Sequence, residues 1–219
     1  MNIKSINIRY KKMLIVIIPL IILFFVFGFL TYYSASDLMG TNKATSDKSH
    51  HIEEYDYHLR SNATEYQESL FKELKNLIDN GADDLEIAEC VVKNYVADAY
   101  TWDNKLGQWD VGGMCYVYSP MKNNIYSRLK DDFYGLLDKY QKENGGNGGL
   151  LEVSSIDVVS SRESDSLYEV DDCQYKAFNI RCSWEYVDGS KYSNVIDNSM
   201  FFKVIKNNDN RFEIVENYE

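Results

Sequence analysis

The apolar residues of this chain change their period near residue 150. Between Asp84 and Tyr140 they recur at intervals of three and four, and beyond Leu150 they alternate with polar residues. In 178–186, FNIRCSWEY, the apolar set is Phe178, Ile180, Cys182, Trp184 and Tyr186, with Asn179, Arg181, Ser183 and Glu185 between them. Period two puts one set on each face of a pleated sheet, which predicts a strand with one covered face and one wet face. A chain that runs helices first and antiparallel strands afterwards is of the α+β class.

Two helices precede the switch. One is expected over 84–100, begun by Asp84, with Leu85, Ala88, Val91, Val92, Tyr95, Val96 and Ala99 on a broad face. The other is expected over 120–143, opened by Ser119-Pro120 and striped by Ile125, Leu129, Phe133, Leu136, Leu137 and Tyr140, with GGNGG to stop it. Four strands follow at 151–159, 167–187, 191–205 and 211–217, separated by turn sequences. Upstream, 53–80 predicts a further helix that Gly81 ends, with Leu59, Ala63, Tyr66, Leu70, Leu74 and Leu77 as one narrow seam. That seam either lies on the domain that follows or pairs with a second copy as a self-associating stalk.

The stretch 13–30, MLIVIIPLIILFFVFGFL, holds eighteen residues without a charge or an amide. At helical rise this approaches the thickness of a bilayer core, and it exceeds the ~7–15 apolar residues of a signal peptide. It reads as a single transmembrane helix, although Ser34-Ala35-Ser36 offers small residues for a cleavage site. Lys4, Arg9, Lys11 and Lys12 precede the span and no acid does, so the N-terminus is expected in the cytoplasm and the rest outside. The expected organisation is a cytoplasmic tail 1–12, a membrane span 13–30, a polar tether 31–52, a helical stalk 53–80 and an extracytoplasmic α+β domain 84–219. Setting the four leading bases aside leaves 19 basic residues against 34 acidic ones outside, a charge of about −15. That sign disfavours nucleic acid, whose phosphates are bound by Lys and Arg.

Catalytic signatures are scarce. His50, His51 and His58 all precede the folded region, so a Ser-His-Asp or Cys-His pair has no base there. No zincin, nucleophile-elbow or phosphate-loop pattern occurs, and no metal or cofactor is expected. Of four cysteines, Cys182 belongs to an apolar strand face. Cys90 lies off the apolar face of its helix, which makes Cys90 with Cys115 or Cys173 the candidate disulfide without choosing between them.

The unusual segment is 99–120, AYTWDNKLGQWDVGGMCYVYSP, where Trp102, Trp109, Tyr116 and Tyr118 surround Gly112-Gly113. Glycine beside aromatics serves ligand grips and chain reversals alike; the expectation is a connector whose aromatics fill a core. The run from helix 84–100 through TWDNKLGQWDVGGMCYVY into helix 120–143 and four strands resembles extracytoplasmic domains of the nuclear transport factor 2-like fold. It is similar in particular to those of bitopic proteins of bacterial conjugation and type IV secretion machines. The resemblance implies a cone of helices on a curved sheet, with Asp110-Val111-Gly112-Gly113 as the reversal between helices. It also implies a non-enzymatic scaffold that contacts proteins, itself included. The alternative is a small-molecule binder or isomerase-like enzyme whose cavity is lined by Trp102, Trp109, Tyr116 and Tyr118, with Asp197 as its base.

Overall fold

The computed structural model describes residues 50–143, 150–170, 172–191, 193 and 197–218, all within the unit Lys48–Glu219. The tail 1–12, the span 13–30, the tether as far as residue 49 and the GGNGG segment lie outside the described residues. Among those described, no helix is long and apolar enough to cross a membrane.

The chain enters as a small hairpin. Strand β1 (His51–Ile52) pairs with β2 (Tyr57–His58) around a 3-10 turn, Glu53–Tyr55, and Asp56 leaves that turn in the left-handed region at φ 50°. This corrects the expectation of a tether running directly into a helix at residue 53. Tyr57 is the physical reason. Its ring is fully buried against Tyr116, at 5.0 Å between centroids, and its Oη donates to Phe212 O at 2.5 Å while accepting from Phe212 N at 3.1 Å. Helix α1 (Glu65–Asp79) starts only at Thr64, where a capping box forms: Thr64 Oγ1 accepts from Gln67 N and Gln67 Oε1 accepts from Thr64 N. Gly81 follows at φ 63° and ends it, as expected.

Helix α2 (Asp84–Ala99) is buried on more than the one face its apolar pattern shows. One side meets the sheet and the other is covered by α1. Asn94 Nδ2 donates to Leu70 O at 3.1 Å, and Gln67 Nε2 donates to Ala97 O at 2.7 Å. Leu70 and Leu74 are accordingly buried, with Tyr66, Leu77 and Leu59 packed at the margin. The seam therefore lies on the domain, and its two central leucines are not free for a self-associating stalk. Cys90 is corrected with it: α1 covers that flank, the thiol is 1 % exposed, and its Sγ lies 3.8 Å from Leu70 O. All four cysteines are free thiols, so neither candidate bridge is formed.

Helix α3 runs Lys122–Arg128, widens through a π-helical stretch Leu129–Tyr134, and continues Gly135–Glu143. Its apolar stripe survives the widening, with Ile125, Leu129, Phe133 and Leu137 all buried. The remaining strands are β3 (Val153–Glu163), β4 (Tyr168–Val170), β5 (Cys173–Tyr186), β6 (Ser199–Lys206) and β7 (Phe212–Tyr218). All pairings are antiparallel, in the order β3-β5-β6-β7, with β4 paired to the start of β5. The strand expected over 167–187 is divided because Asp172 turns the chain at φ 60°.

The alternation of FNIRCSWEY holds. Phe178, Ile180, Cys182 and Trp184 are at most 1 % exposed and face the helices, with Phe202, Val204, Phe212 and Ile214 from the adjoining strands. Tyr100, at the end of α2, packs on Trp184 at 4.6 Å and on Phe133 of α3 at 5.1 Å, joining the sheet to two helices. On the opposite face a smaller core of Tyr175, Ala177, Ile205 and Val215 gathers Tyr118, Tyr168 and Val170. The result is α+β: three helices on one face of a largely antiparallel sheet whose outer face is only partly covered.

Candidate functional site

The unusual loop starts where α2 stops. The N–H groups of Trp102 and Asp103 both donate to Leu151 O, at 2.7 and 3.1 Å, which fixes the loop to the start of the sheet. Its far end is held by a parallel bridge between Val117 and Ile214, with Tyr118 N donating to Ile214 O at 3.0 Å. Between these anchors, Lys105 N reaches back to Trp102 O and Asp110 N to Gly107 O, so the excursion is a pair of tight turns.

Four charged side chains brace those turns from beneath. Lys105 Nζ donates to Asp98 Oδ1 at 2.9 Å and Arg60 Nε lies 2.9 Å from the same oxygen. Arg60 also donates to Asp110 Oδ1 at 3.0 Å and to Asn104 O at 2.9 Å, while Asp110 Oδ2 accepts from Leu106 N at 3.0 Å. The side chain of Lys105 is wholly buried and that of Arg60 is 17 % exposed. Two cations and two carboxylates leave the group neutral, which is how charge survives away from water.

The titration behaviour follows from that enclosure. Burial by itself would raise the pKa of Asp98, but Lys105, Arg60 and the Gly113 N–H outweigh it and hold the carboxyl below its ordinary 3.8. For Lys105 the balance reverses: burial lowers it below 10.5 and the attraction of Asp98 offsets only part. Burial also opposes the charge of Arg60, yet Asp98 and Asp110 outweigh it and hold the guanidinium above its ordinary value.

Gly112 and Gly113 let the chain pass over Asp98. A Cβ on Gly112 would stand 2.4 Å from Asp98 O, and Gly113, at φ 77°, would set one 2.7 Å from the Tyr95 ring. With that close approach Gly113 N donates to Asp98 Oδ2 at 2.6 Å, and Gly112 N to Tyr134 Oη at 3.1 Å. Tyr134 Oη in turn donates to Ala99 O at 2.7 Å. The pair is a chain reversal held by backbone donors, and Asp110 belongs to its brace.

The four aromatics part company. Trp102 packs on Tyr134 at 5.2 Å and Tyr116 on Tyr57, both inside the main core. Tyr118 turns to the outer face of the sheet and meets Tyr175 edge-on at 6.4 Å. Trp109 stays in water at 61 % exposure, three residues from Leu106 at 77 %. Trp109 is also held from below, since its carbonyl accepts from Tyr126 Oη at 3.0 Å. Asp197 is exposed just before β6. The residues proposed to line one cavity therefore do not share one. Trp102 borders an open cleft of about 340 Å3, with Gln141, Asp138 and Lys105 among its other walls.

The candidate site is thus a rigid, braced loop that displays an indole and a leucine. Sequence reasoning missed Arg60, Asp98 and Lys105. One signal was present: Asp98 is an acid in the last turn of α2, where the helix dipole disfavours it and no base follows within the turn. Such an acid needs cations from elsewhere in the chain. Of the three histidines, His51 reaches Asp56 at 3.4 Å, and among the described residues no group of three His, Cys, Asp or Glu is placed to hold a metal ion. No family model, no curated protein and no solved structure matches the chain.

Proposed function

We propose that this chain is a single-span membrane protein whose extracytoplasmic domain, of nuclear transport factor 2-like type, acts by contacting other proteins and turns over no substrate. The setting we propose is assembly at the cell surface, in machinery of the conjugation or type IV secretion kind. The anchor rests on the apolar run 13–30 and the bases before it.

The observation that carries protein contact is the display of Leu106 and Trp109 on a loop fixed by buried ion pairs. Exposed Trp on a preorganised loop suits an interface anchor, because the ordering cost is met before binding and truncating such an anchor typically costs about 2 kcal/mol or more. The second reading, a small-molecule binder or isomerase-like enzyme, is supported by the cleft beside Trp102 alone.

A photo-reactive amino acid placed at Trp109 in membrane-embedded protein tests the proposal. A discrete protein adduct is expected, and Leu106→Ala should weaken it without changing the thermal midpoint. If position 109 yields no adduct above that of a control position such as Glu54, the loop is no contact site and the proposal fails.

A further inference from the structure

Beyond its small second core, the outer face of the sheet is open among the described residues and ordered in rows. The register runs Ser160, Arg181, Phe201 and Tyr218 across β3, β5, β6 and β7, and the next row along is Arg162, Asn179, Lys203 and Glu216. In the first row the Arg181 guanidinium lies 4.8 Å over the Phe201 ring, and that ring stacks on Tyr218 at 5.7 Å and 15°. Arg181 Nε donates to Ser199 Oγ at 3.4 Å, and among the described residues no carboxylate pairs with this guanidinium. Its neighbours are accounted for otherwise. Lys203 is paired with Glu216 at 3.1 Å, and among the described residues the acidic partner of Arg162 is Asp165, at 3.5 Å and 93 % exposed. Asp157 begins a third row beside Ser183. A hollow of about 230 Å3 lies over these rows, walled by Ser160, Arg162, Asn179, Arg181, Phe201 and Tyr218.

We propose that this face receives an extended acidic segment of a partner protein, with one carboxylate forked on Arg181 and a second, two residues further on, at Arg162. The inference names the kind of partner and so rests on the protein-contact function proposed above. Three properties favour it over a lone anion. Diagonal neighbours on paired strands stand about 7–8 Å apart, and residues i and i+2 of an extended segment about 6.8 Å, so two carboxylates meet two guanidiniums in step. The chain carries −11 overall, which makes this hollow a local reversal of sign that draws acidic chains to it and not to the rest of the surface. The Phe201 ring beneath the Arg181 guanidinium restrains that side chain in advance, which suits recognition of a carboxylate.

The test uses the full chain in detergent micelles and a fluorescein-labelled peptide of alternating Glu and Ser, read by anisotropy. The Glu peptide should bind, its Gln counterpart should not, and Arg181→Gln should weaken binding by about tenfold or more, as loss of a forked contact does. Arg181→Lys should recover only part, and Arg162→Gln should show a smaller loss. Equal binding of the Glu and Gln peptides, or full binding by Arg181→Gln, overturns the inference. So does displacement by inorganic phosphate at the peptide's own concentration, which marks a simple anion site. Any of these results alongside an intact Trp109 adduct removes the acidic partner and leaves the protein-contact function standing. Loss of the adduct removes that function instead.

Discussion

Replacing Asp98 by Ala tests the brace most directly. The substitution removes the acceptor of Lys105 Nζ and Gly113 N and the carboxylate beside Arg60 Nε, leaving Asp110 to face two cations. Breaking a buried pair on one side costs about 3–5 kcal/mol, because the orphaned charge stays out of water. Asp98 keeps 21 % of its side-chain surface, so water can reach part of the gap and the lower end, about 3 kcal/mol, applies. For a domain of this size each kcal/mol moves the midpoint by roughly 2–4 °C, giving a fall of roughly 6–12 °C by circular dichroism. Asp138→Ala is the control: its partner Lys142 is 75 % exposed, and such surface pairs contribute at most about 1 kcal/mol. Joint replacement by Asp98→Leu and Lys105→Met should regain much of the loss, since apolar filling is tolerated where a half-broken pair is not. If Asp98→Ala shifts the midpoint no further than Asp138→Ala does, the four charges do not form an enclosed brace.

Two more outcomes follow from the same geometry. In the native full chain at neutral pH a maleimide should modify Cys173 rapidly and the other three thiols only after unfolding, because Cys90, Cys115 and Cys182 are buried and the latter two are pushed up to about 12; intact-mass analysis counts the adducts, and a bridged Cys90 would contradict the assignment. On acidification, Asp98 and Asp84 titrate below 3.8 in the folded state, held there against burial by Lys105 with Arg60 and by Lys206 with Lys176 respectively, so their stabilisation is complete above that value and is lost as pH falls through the folded pKa. Glu213, raised above 4.5 by burial, works in the opposite sense and loses stabilisation as pH rises through its folded value. The acid limb of a urea midpoint-against-pH curve should therefore steepen below pH 3.8 and flatten there in Asp98→Asn; an unchanged limb would remove Asp98 as its source.

Much of the fold was legible because long elements repeat their signal. FNIRCSWEY offered four and a half cycles of alternation, and each apolar member joins the core on the helix side, Tyr186 being half-buried at the strand's end but packed against that same core. The stripe of α3 survived even a π-helical widening, because Phe133, Leu137 and their neighbours still meet the core. What was hidden has a common cause, which is burial decided by partners distant in sequence. Cys90 and Asn94 sit on the polar flank of α2 when that helix is read alone, and only the arrival of α1 turns the flank into an interior. The hairpin at 51–58 is likewise too short to carry a period, and Tyr57 is fixed by Phe212, 155 residues away.

The loop shows the same limit and says what its charges are for. Composition alone cannot separate Trp102 and Tyr116, which enter the core, from Trp109, which does not; the anchors at Leu151 and Ile214 make that choice. Between the anchors the turns would leave an indole and a leucine in water, an arrangement that apolar collapse opposes. A buried quartet of ions is a poor way to add stability, since well-packed apolar residues of equal volume do as well or better. It is a good way to hold one conformation, because Arg60 Nη2 meets Asp110 Oδ1 at 3.0 Å and Lys105 Nζ meets Asp98 Oδ1 at 2.9 Å only when both turns are closed. Leu106 N shares the Asp110 carboxylate, so the exposed leucine is itself tied to the same brace through its backbone. The charges therefore act on the position of Leu106 and Trp109 more than on the depth of the fold's free-energy well. A loop that keeps these two side chains in water at a fixed place is what the protein-contact function proposed above requires.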